Sequence, residues 1–439
     1  EESPRKFLHP TLVNSARTHR TVCSSSIGLR VPLTVYDLEF EESLLFLPPC
    51  KREQAMPPEQ ADRLHTVAWE AGAIYSVTPG KFAFTFHADE AATRRAIDEH
   101  PDKFFCSTFE HTKYVPYCSD FGPVDLDRTV TFCRKIRAVL CDPRISGREV
   151  VFYAEALNSE FRTNAAYLLG AYLVLHEGWS PEKAAAPFER IVPSPWAHFR
   201  DATDAPSDFE LPIRDCLAGL NRAAHEGWLN IDSFDRAIYR EQTRDGYTTV
   251  CPRFIAFQGP VAARARARPT WAHPPAHFLA AFQRSARRGT DVTAVVRLNE
   301  ASLYDPREFS DAGIALYDLE FEDCTVPSAA VVKAFFAICD RNPFGAIAVH
   351  CKAGLGRTGT LIALWIMVMK GWSARETIAW LRIARPGSVI GQQQHFLLAC
   401  ERASAPGGGG LGSVFRAFAR PGDEHAARAL ARNNATQVA

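Results

Sequence analysis

The sequence predicts an α/β protein of two related domains in tandem, of which only the second keeps reactive residues. Three observations carry that prediction. Strand-like and helix-like patterns alternate through the C-terminal half, as an α/β domain requires. Two stretches, "NAAYLLGAYLVLHEGWSPEKA" (164–184) and "RTGTLIALWIMVMKGWSARET" (357–377), share a small-residue start, an apolar helix and a Gly-Trp-Ser tripeptide. Finally, 439 residues suffice for two or three domains with a sizeable core. Aligning the tripeptides sets Asn158 opposite Cys351 and Asn164 opposite Arg357. Ser180 and Ser373 each stand where a following helix needs an N-cap.

Along the chain, residues 1–61 form an N-terminal extension with no assignable element. The hexapeptide "YDLEFE" occurs at 36–41 and again at 317–322, as a duplicated strand or by coincidence. Residues 62–235 make the first domain, 236–251 a polar linker, and 252–402 the second domain. Within the second, "VTAVVRL" (292–298), "ALYDLEF" (315–321) and "AIAVH" (346–350) read as strands. "SAAVVKAFFAICD" (328–340) reads as a Ser-capped helix, with further helices near 357–370, 374–384 and 391–402. "PGGGGLG" (406–412) opens a low-complexity tail within 403–439.

Composition excludes several classes. Fifty basic and fifty acidic side chains cancel, so no global field points to nucleic acid or a membrane surface. The longest apolar run, "LIALWIMVM" (361–369), is too short to span a bilayer, and the first 30 residues lack a hydrophobic signal core. Twelve cysteines without a C-x-x-C pair argue against zinc knuckles and a disulfide framework, and for a reducing compartment. No metal and no cofactor are called for. The "ARARAR" run (263–268) reads as a solvated loop or a weak nuclear address.

The stretch "AIAVHCKAGLGRTGTLIALW" (346–365) holds two signatures at once. "GLGRTG" from Gly354 fits a dinucleotide-binding turn, but that turn needs a second strand ending in an acidic residue some twenty positions on. The next acidic residue is Glu376, inside a helical pattern. Cys351 and Arg357, five residues between them, fit a cysteine-dependent phosphatase instead. Spacing alone is weak, because a chain this rich in arginine supplies about one chance Cys-x5-Arg. "CLAGLNR" (216–222) is that chance match: its apolar positions follow helical spacing, so Cys216 belongs to structure.

Around Cys351, every neighbour has a chemical task. A buried strand delivers it to a turn made of Lys352, Ala353, Gly354, Leu355 and Gly356, whose backbone N–H groups can converge on an anion. The helix beginning near Arg357 adds its positive end, and that field lowers a thiol from a free value of about 8.5. Arg357 offers a planar fork for two phosphate oxygens. Thr358 can donate to the sulfur, and His350 orders the loop by hydrogen bonding. The leaving oxygen needs a carboxylic acid from a separate loop. Asp318, Glu320, Glu322 and Asp323 are the candidates, and the turn-forming "DCTVP" favours Asp323. Gln393 and Gln394 could position water or be ordinary first-turn glutamines.

"VHCKAGLGRTGTLIALWIM", "ETIAWLRIARPGSVIGQQQHFL" and "YDLEFEDCTVPS" resemble the dual-specificity phosphatases of the cell-division-cycle fourteen family, the mitotic-exit phosphatases. The likeness runs from about residue 72 to 402 and includes "YCSDFGPVDL", "FRDAT", "IRDCLAGL" and "RFIAFQGP". It implies two tandem phosphatase-like domains, each a central mixed sheet flanked by helices, joined by a linker helix, with the first lacking the nucleophile. It implies Cys351 as nucleophile, Arg357 as phosphate clamp and Asp323 as general acid. The implied partners are phosphoproteins carrying phosphoserine or phosphothreonine before proline, the sites of proline-directed kinases, and phosphotyrosine. It further implies a cell-cycle role in nucleus and cytoplasm, including nucleolus, spindle pole or centrosome. Two positions depart from the family: Cys324 stands where glycine follows the acid, and Gln392 replaces a proline. The family prefers a basic residue beyond the phosphosite, attributed to acidic groups near the interdomain groove. Here the linker's Glu241 and Asp245 alternate with Arg240 and Arg244, which puts that preference in question.

Two other functions compete. A phosphoinositide phosphatase would use Lys352, but that branch carries a second lysine where Leu355 sits. A non-enzymatic phosphoprotein-binding module fits the first domain, since Asn158 and Asn164 supply neither thiolate nor fork. Cys324, one residue past the acid, is an ordinary loop cysteine or a partner for Cys351 under oxidation.

Overall fold

The computed structural model describes residues 66–155, 158–204, 206–263 and 272–405, together with the strand Val35–Tyr36 and Ser413. The rest of the N-terminal extension, the "ARARAR" run beyond Ala263 and the tail from 406 (Ser413 aside) lie outside the described residues.

The first domain opens with β1 (Val35–Tyr36), β2 (Val67–Ala68), β3 (Tyr75–Thr78), β4 (Phe82–His87), α1 (Glu90–Glu99) and β5 (Phe104–Ser107). It continues through α2 (Phe109–Thr112), α3 (Leu126–Leu140), β6 (Val150–Glu155), α4 (Ser159–Leu175), α5 (Pro181–Glu189), β7 (Ile191–Val192) and α6 (Ile213–His225). Its main sheet runs β1-β5-β6-β4-β3, parallel except for the β3–β4 pair. "FAFTFH" of β4 is buried at every position, as a parallel strand covered on both faces should be.

The second domain repeats this plan. After α7 (Arg236–Arg244) come β8 (Tyr247–Cys251), β9 (Phe254–Phe257), α8 (Pro275–Arg287), β10 (Val292–Arg297), α9 (Arg307–Ser310) and β11 (Ala315–Asp318). Then follow α10 (Ala329–Arg341), β12 (Ala346–His350), α11 (Gly356–Lys370), α12 (Ala374–Ala384) and α13 (Gln392–Ser404). The sheet order β11-β10-β12-β9-β8, with one antiparallel pair at the β8 end, matches the first sheet position for position. The repeated hexapeptide finds its place here. Tyr36 and Tyr317 each lie on the parallel edge strand of their own sheet. Residues 37–41 of the first copy lie outside the described residues.

The echoed helices α4 and α11 occupy equivalent places, each following the central strand of its sheet and buried over most of its circumference. Such all-round apolar helices need neighbours on every side. Ser180 caps α5, and Ser373 caps α12 in a reciprocal box with Glu376. The chance match Cys216–Arg222 lies on α6, as its apolar spacing predicts.

The two halves share one core. Helix α6 lies against α12 so closely that a Cβ on Gly219 would stand 2.7 Å from the Glu376 carbonyl and 2.9 Å from the Trp380 amide. Trp228 stacks on Trp372 with ring centroids 4.9 Å apart. One contiguous apolar cluster therefore runs from Phe84 to Phe396.

The expected linker, 236–251, needs correction. Its first part is a helix, but Tyr247–Cys251 is the antiparallel edge strand of the second sheet. Thr248 and Thr249 read as polar, yet β-branched residues fit a pleated, half-buried surface. Helix α7 is pinned on both sides. Arg236 and Arg240 grip Asp127 of α3 at 2.7 and 2.8 Å, and Glu241 holds Arg284 of α8 and the C-cap residue Arg288 at 2.7 and 2.8 Å. Among the described residues no helix is long and apolar enough to cross a membrane.

Candidate active site

Five buried residues of β12 carry the chain to Cys351, a free thiol only 2% exposed. The turn that follows is braced from behind. His350 Nδ1 donates to the Cys351 carbonyl at 3.1 Å, and the Gly259 amide donates to the Lys352 carbonyl at 3.0 Å. Arg385 takes the next two carbonyls, Ala353 at 3.2 Å and Gly354 at 2.8 Å. In a trans peptide the N–H points opposite its C=O. Holding four consecutive carbonyls outward therefore aims the following N–H groups to the other side, into one concave cradle. Gly354 makes the turn possible: its φ is +68°, and a Cβ there would lie 2.0 Å from the Phe257 carbonyl. Leu355 precedes α11 without a side-chain cap, so the helix keeps its positive end free for the same cradle.

Arg357, 3% exposed, reaches back over the cradle. One terminal nitrogen donates to the carbonyls of Leu298 at 3.1 Å and Phe321 at 2.7 Å, and the other pairs with Asp323 at 3.0 Å. Its Nε is buried without a partner, as is Thr358 Oγ1 beside it. Such orphaned donors are costly unless a ligand completes them.

Of the four acid candidates, Asp318 is consumed by a two-pronged pair with buried Arg297 at 2.5 and 3.0 Å. Glu320 accepts from the Ala301 amide at 3.4 Å. Asp323 is the one brought to Arg357, and its side chain is 52% exposed. The next residue, Cys324, has φ +57°, a left-handed conformation that explains why glycine suits this position. Cys324 is free and exposed, and burial, then Asp323, pushes its thiol up.

Gln393 and Gln394 are buried, and each has both its amide oxygen and its amide nitrogen hydrogen-bonded. Gln393 accepts from the Ile390 amide at 3.1 Å and donates to the Thr325 carbonyl at 2.9 Å. Gln394 accepts from Arg382 at 2.6 Å and donates to the Gly391 carbonyl at 3.1 Å. Gln393 thereby ties α13 to the loop bearing Asp323.

The N-terminal half of dual specificity protein phosphatases matches residues 77–223, and the dual specificity phosphatase catalytic domain matches 287–403. The mouse dual specificity protein phosphatase CDC14B is 33% identical over 358 residues, 80% of this chain and 69% of that protein. The chain belongs to the CDC14 family. Human CDC14A is 38% identical over 297 residues, 67% of this chain and 49% of that protein. The fission yeast (Schizosaccharomyces pombe) tyrosine-protein phosphatase CDC14 homolog is 36% identical over 307 residues, 68% of this chain and 56% of that protein. The chain thus spans about half the length of several curated CDC14 relatives it matches.

In this CDC14-family chain the first domain has the scaffold without the chemistry. Asn158 caps α4 through the Glu160 amide at 2.7 Å. Asn164, in the place of Arg357, is fully buried and spent on the Val124 amide and the Gly122 carbonyl at 3.1 and 3.2 Å. Sequence reasoning missed Arg385. Its signal is an arginine directly before Pro-Gly at the end of an apolar helix, where a buried charge must find carbonyls.

His350 accepts from the Tyr304 hydroxyl at 2.7 Å through Nε2, because its Nδ1 proton is committed to the Cys351 carbonyl. Burial pushes its imidazole down to about 3 from an ordinary 6.5, and burial with nearby Lys135 and Arg236 pushes His111 to about 4. The unfolded chain takes up protons below about 6.5 that the folded chain refuses. The stability these groups contribute is full above that value and is lost as pH falls toward 4 and 3. Each sets a slope of up to ~1.4 kcal/mol per pH unit in its window. Urea denaturation at pH 7, 6 and 5 should show the decline, and His350→Gln should make it shallower by one proton.

Proposed function

We propose that this chain removes phosphate from phosphoproteins through a phosphocysteine intermediate, without a metal. The observation carrying this reading is the pair of buried, partnerless donors, Arg357 Nε and Thr358 Oγ1, beside Cys351 in a cradle of aimed N–H groups. A phosphate dianion answers the Arg357 donor and the cradle's field, and Thr358 Oγ1 is left to donate to the Cys351 sulfur as it becomes a leaving group. The Cys351 thiolate attacks phosphorus, the P–O bond to the substrate breaks, and the leaving oxygen takes the proton of Asp323. Water then attacks phosphorus as it gives a proton to the Asp323 carboxylate, the P–S bond breaks, and phosphate and the Cys351 thiolate are released. Release of phosphate from a phosphoserine-proline peptide in the presence of chelator, abolished by vanadate, tests this. Faster turnover of a phosphoinositide than of any phosphopeptide would reassign the substrate.

The reading extends to phosphoserine or phosphothreonine before proline, to phosphotyrosine, and to cell-cycle substrates in nucleus and cytoplasm, all by family membership. The basic-residue preference is different. Glu241 is held by Arg284 and Arg288, which keep its carboxyl below the usual range, and Asp245 is held by Arg284 at 2.5 Å and Arg244 at 3.2 Å. Carboxylates already paired attract a further cation weakly. In a phosphopeptide library, replacing a downstream Lys or Arg by Ala should change kcat/KM by less than about threefold, as loss of a weak surface pair would. A tenfold or larger dependence would show that other acidic groups do the reading.

A further inference from the structure

The loop bearing Asp323 is held by Arg357 and Gln393 of the catalytic domain, and the turn that starts the helix of Gln393 is held in its turn by the first domain. Asp201, in the "FRDAT" stretch, is 2% exposed, and its Oδ2 accepts the Gly391 amide at 2.7 Å. Gly391 immediately precedes α13, with φ 53° and ψ −131°, and has no side chain with which to cap that helix. Asp201 therefore supplies, from the other domain, the acceptor and negative charge that a helix start needs.

Hydrogen bonds joined by adjacent backbone lead from that point to the reacting groups. Gln393, on the first turn of α13, accepts from the Ile390 amide at 3.1 Å and donates to the Thr325 carbonyl at 2.9 Å. Its Oε1 lies 3.0 Å from where a Cβ on Gly356 would stand, so it rests on the cradle itself. Thr325 Oγ1 donates to the Glu322 carbonyl at 2.7 Å, closing the turn around Asp323. Asp323 in turn meets Arg357 at 3.0 Å. Short runs of backbone, Ile390–Gly391 and Glu322–Asp323, join these contacts; the Gln393–Thr325 bond is buried and the other hydrogen bonds are partly buried.

We propose that Asp201 is a positioning residue for dephosphorylation, acting through Gly391 and Gln393 on the loop that carries Asp323. The proposal rests on the phosphatase reading above and deepens it: the catalytically silent domain sets the place of the proton donor. A misplaced acid harms substrates in proportion to how much their leaving group needs a proton. Serine alkoxide needs it badly, and an activated phenolate hardly at all.

The test compares the unchanged 439-residue chain with Asp201→Ala and Asp201→Asn, each normalised to active sites by the phenolate burst. Asp201→Ala should lower kcat on a phosphoserine peptide about tenfold with KM within about twofold, while an activated aryl phosphate changes less than about twofold. Asp201→Asn should recover most of the loss, since its amide oxygen still accepts from Gly391. On an Asp323→Asn background, Asp201→Ala should add almost nothing, because the two act on one step. Equal losses on both substrates, or additive losses with Asp323→Asn, would mean that Asp201 merely holds the fold, and would overturn the proposal. Hydrogen exchange gives a readout without turnover. Amides 322–326 should exchange faster in Asp201→Ala, and unchanged exchange there would overturn the linkage whatever the activity. A wild-type chain silent on every phosphate ester would sink the phosphatase reading alone.

Discussion

Cys351→Ser protein should release no measurable phosphate and yet still capture phosphopeptide. Removing the nucleophile of a covalent enzyme costs several orders of magnitude in kcat, and a loss of at least about 10⁴-fold is expected here. Binding should survive because the cradle N–H groups and Arg357 remain, and they carry the contacts to phosphate. Serine matches cysteine in shape at a site only 2% exposed, so thermal unfolding should barely move. Calorimetry with a phosphoserine-proline peptide and a phosphate-release assay on the same sample measure both halves. Residual turnover above about 1% of wild type would reject the phosphocysteine route, since serine left without a base is a far weaker nucleophile.

The second large effect belongs to Asp323. Asp323→Asn should slow phosphoserine turnover by about 10²- to 10⁴-fold, the range that general acids supply. An activated aryl phosphate should fall far less, because its leaving group departs without a proton. The substrate split separates two roles that the geometry joins, since Asp323 also pairs with Arg357 at 3.0 Å. Were the carboxylate there only to orient the guanidinium, both substrates would suffer alike. Its side chain is half exposed, so the folded state should tolerate the change.

Much of this architecture is legible in the sequence where the information is local. Three strands of the second domain, β10, β11 and β12, the Ser-capped helices and the Cys351 turn follow from periodicity, capping and glycine placement, and the structure puts them within a few residues of expectation. The structural place of Cys216 is legible too, because helical spacing marks its neighbours. What sequence reading misses depends on distant partners. Arg385 looks like any arginine until its carbonyl partners 31 and 32 residues away are seen. Asp201 and Gly391 stand 190 positions apart. Asp318 passes as an acid candidate because nothing local betrays its pairing with Arg297, 21 positions earlier. The strand at Tyr247–Cys251 hides behind threonine hydroxyls, since polarity is a poor guide where β-branching decides.

Gly219 has a consequence for how the two halves are joined. With α12 backbone within 3 Å of where its side chain would begin, the halves already stand as near to each other at this point as backbone atoms permit. A bulky graft at position 219 would prise them apart without touching the sulfur, so the harm would be felt first by the shared core.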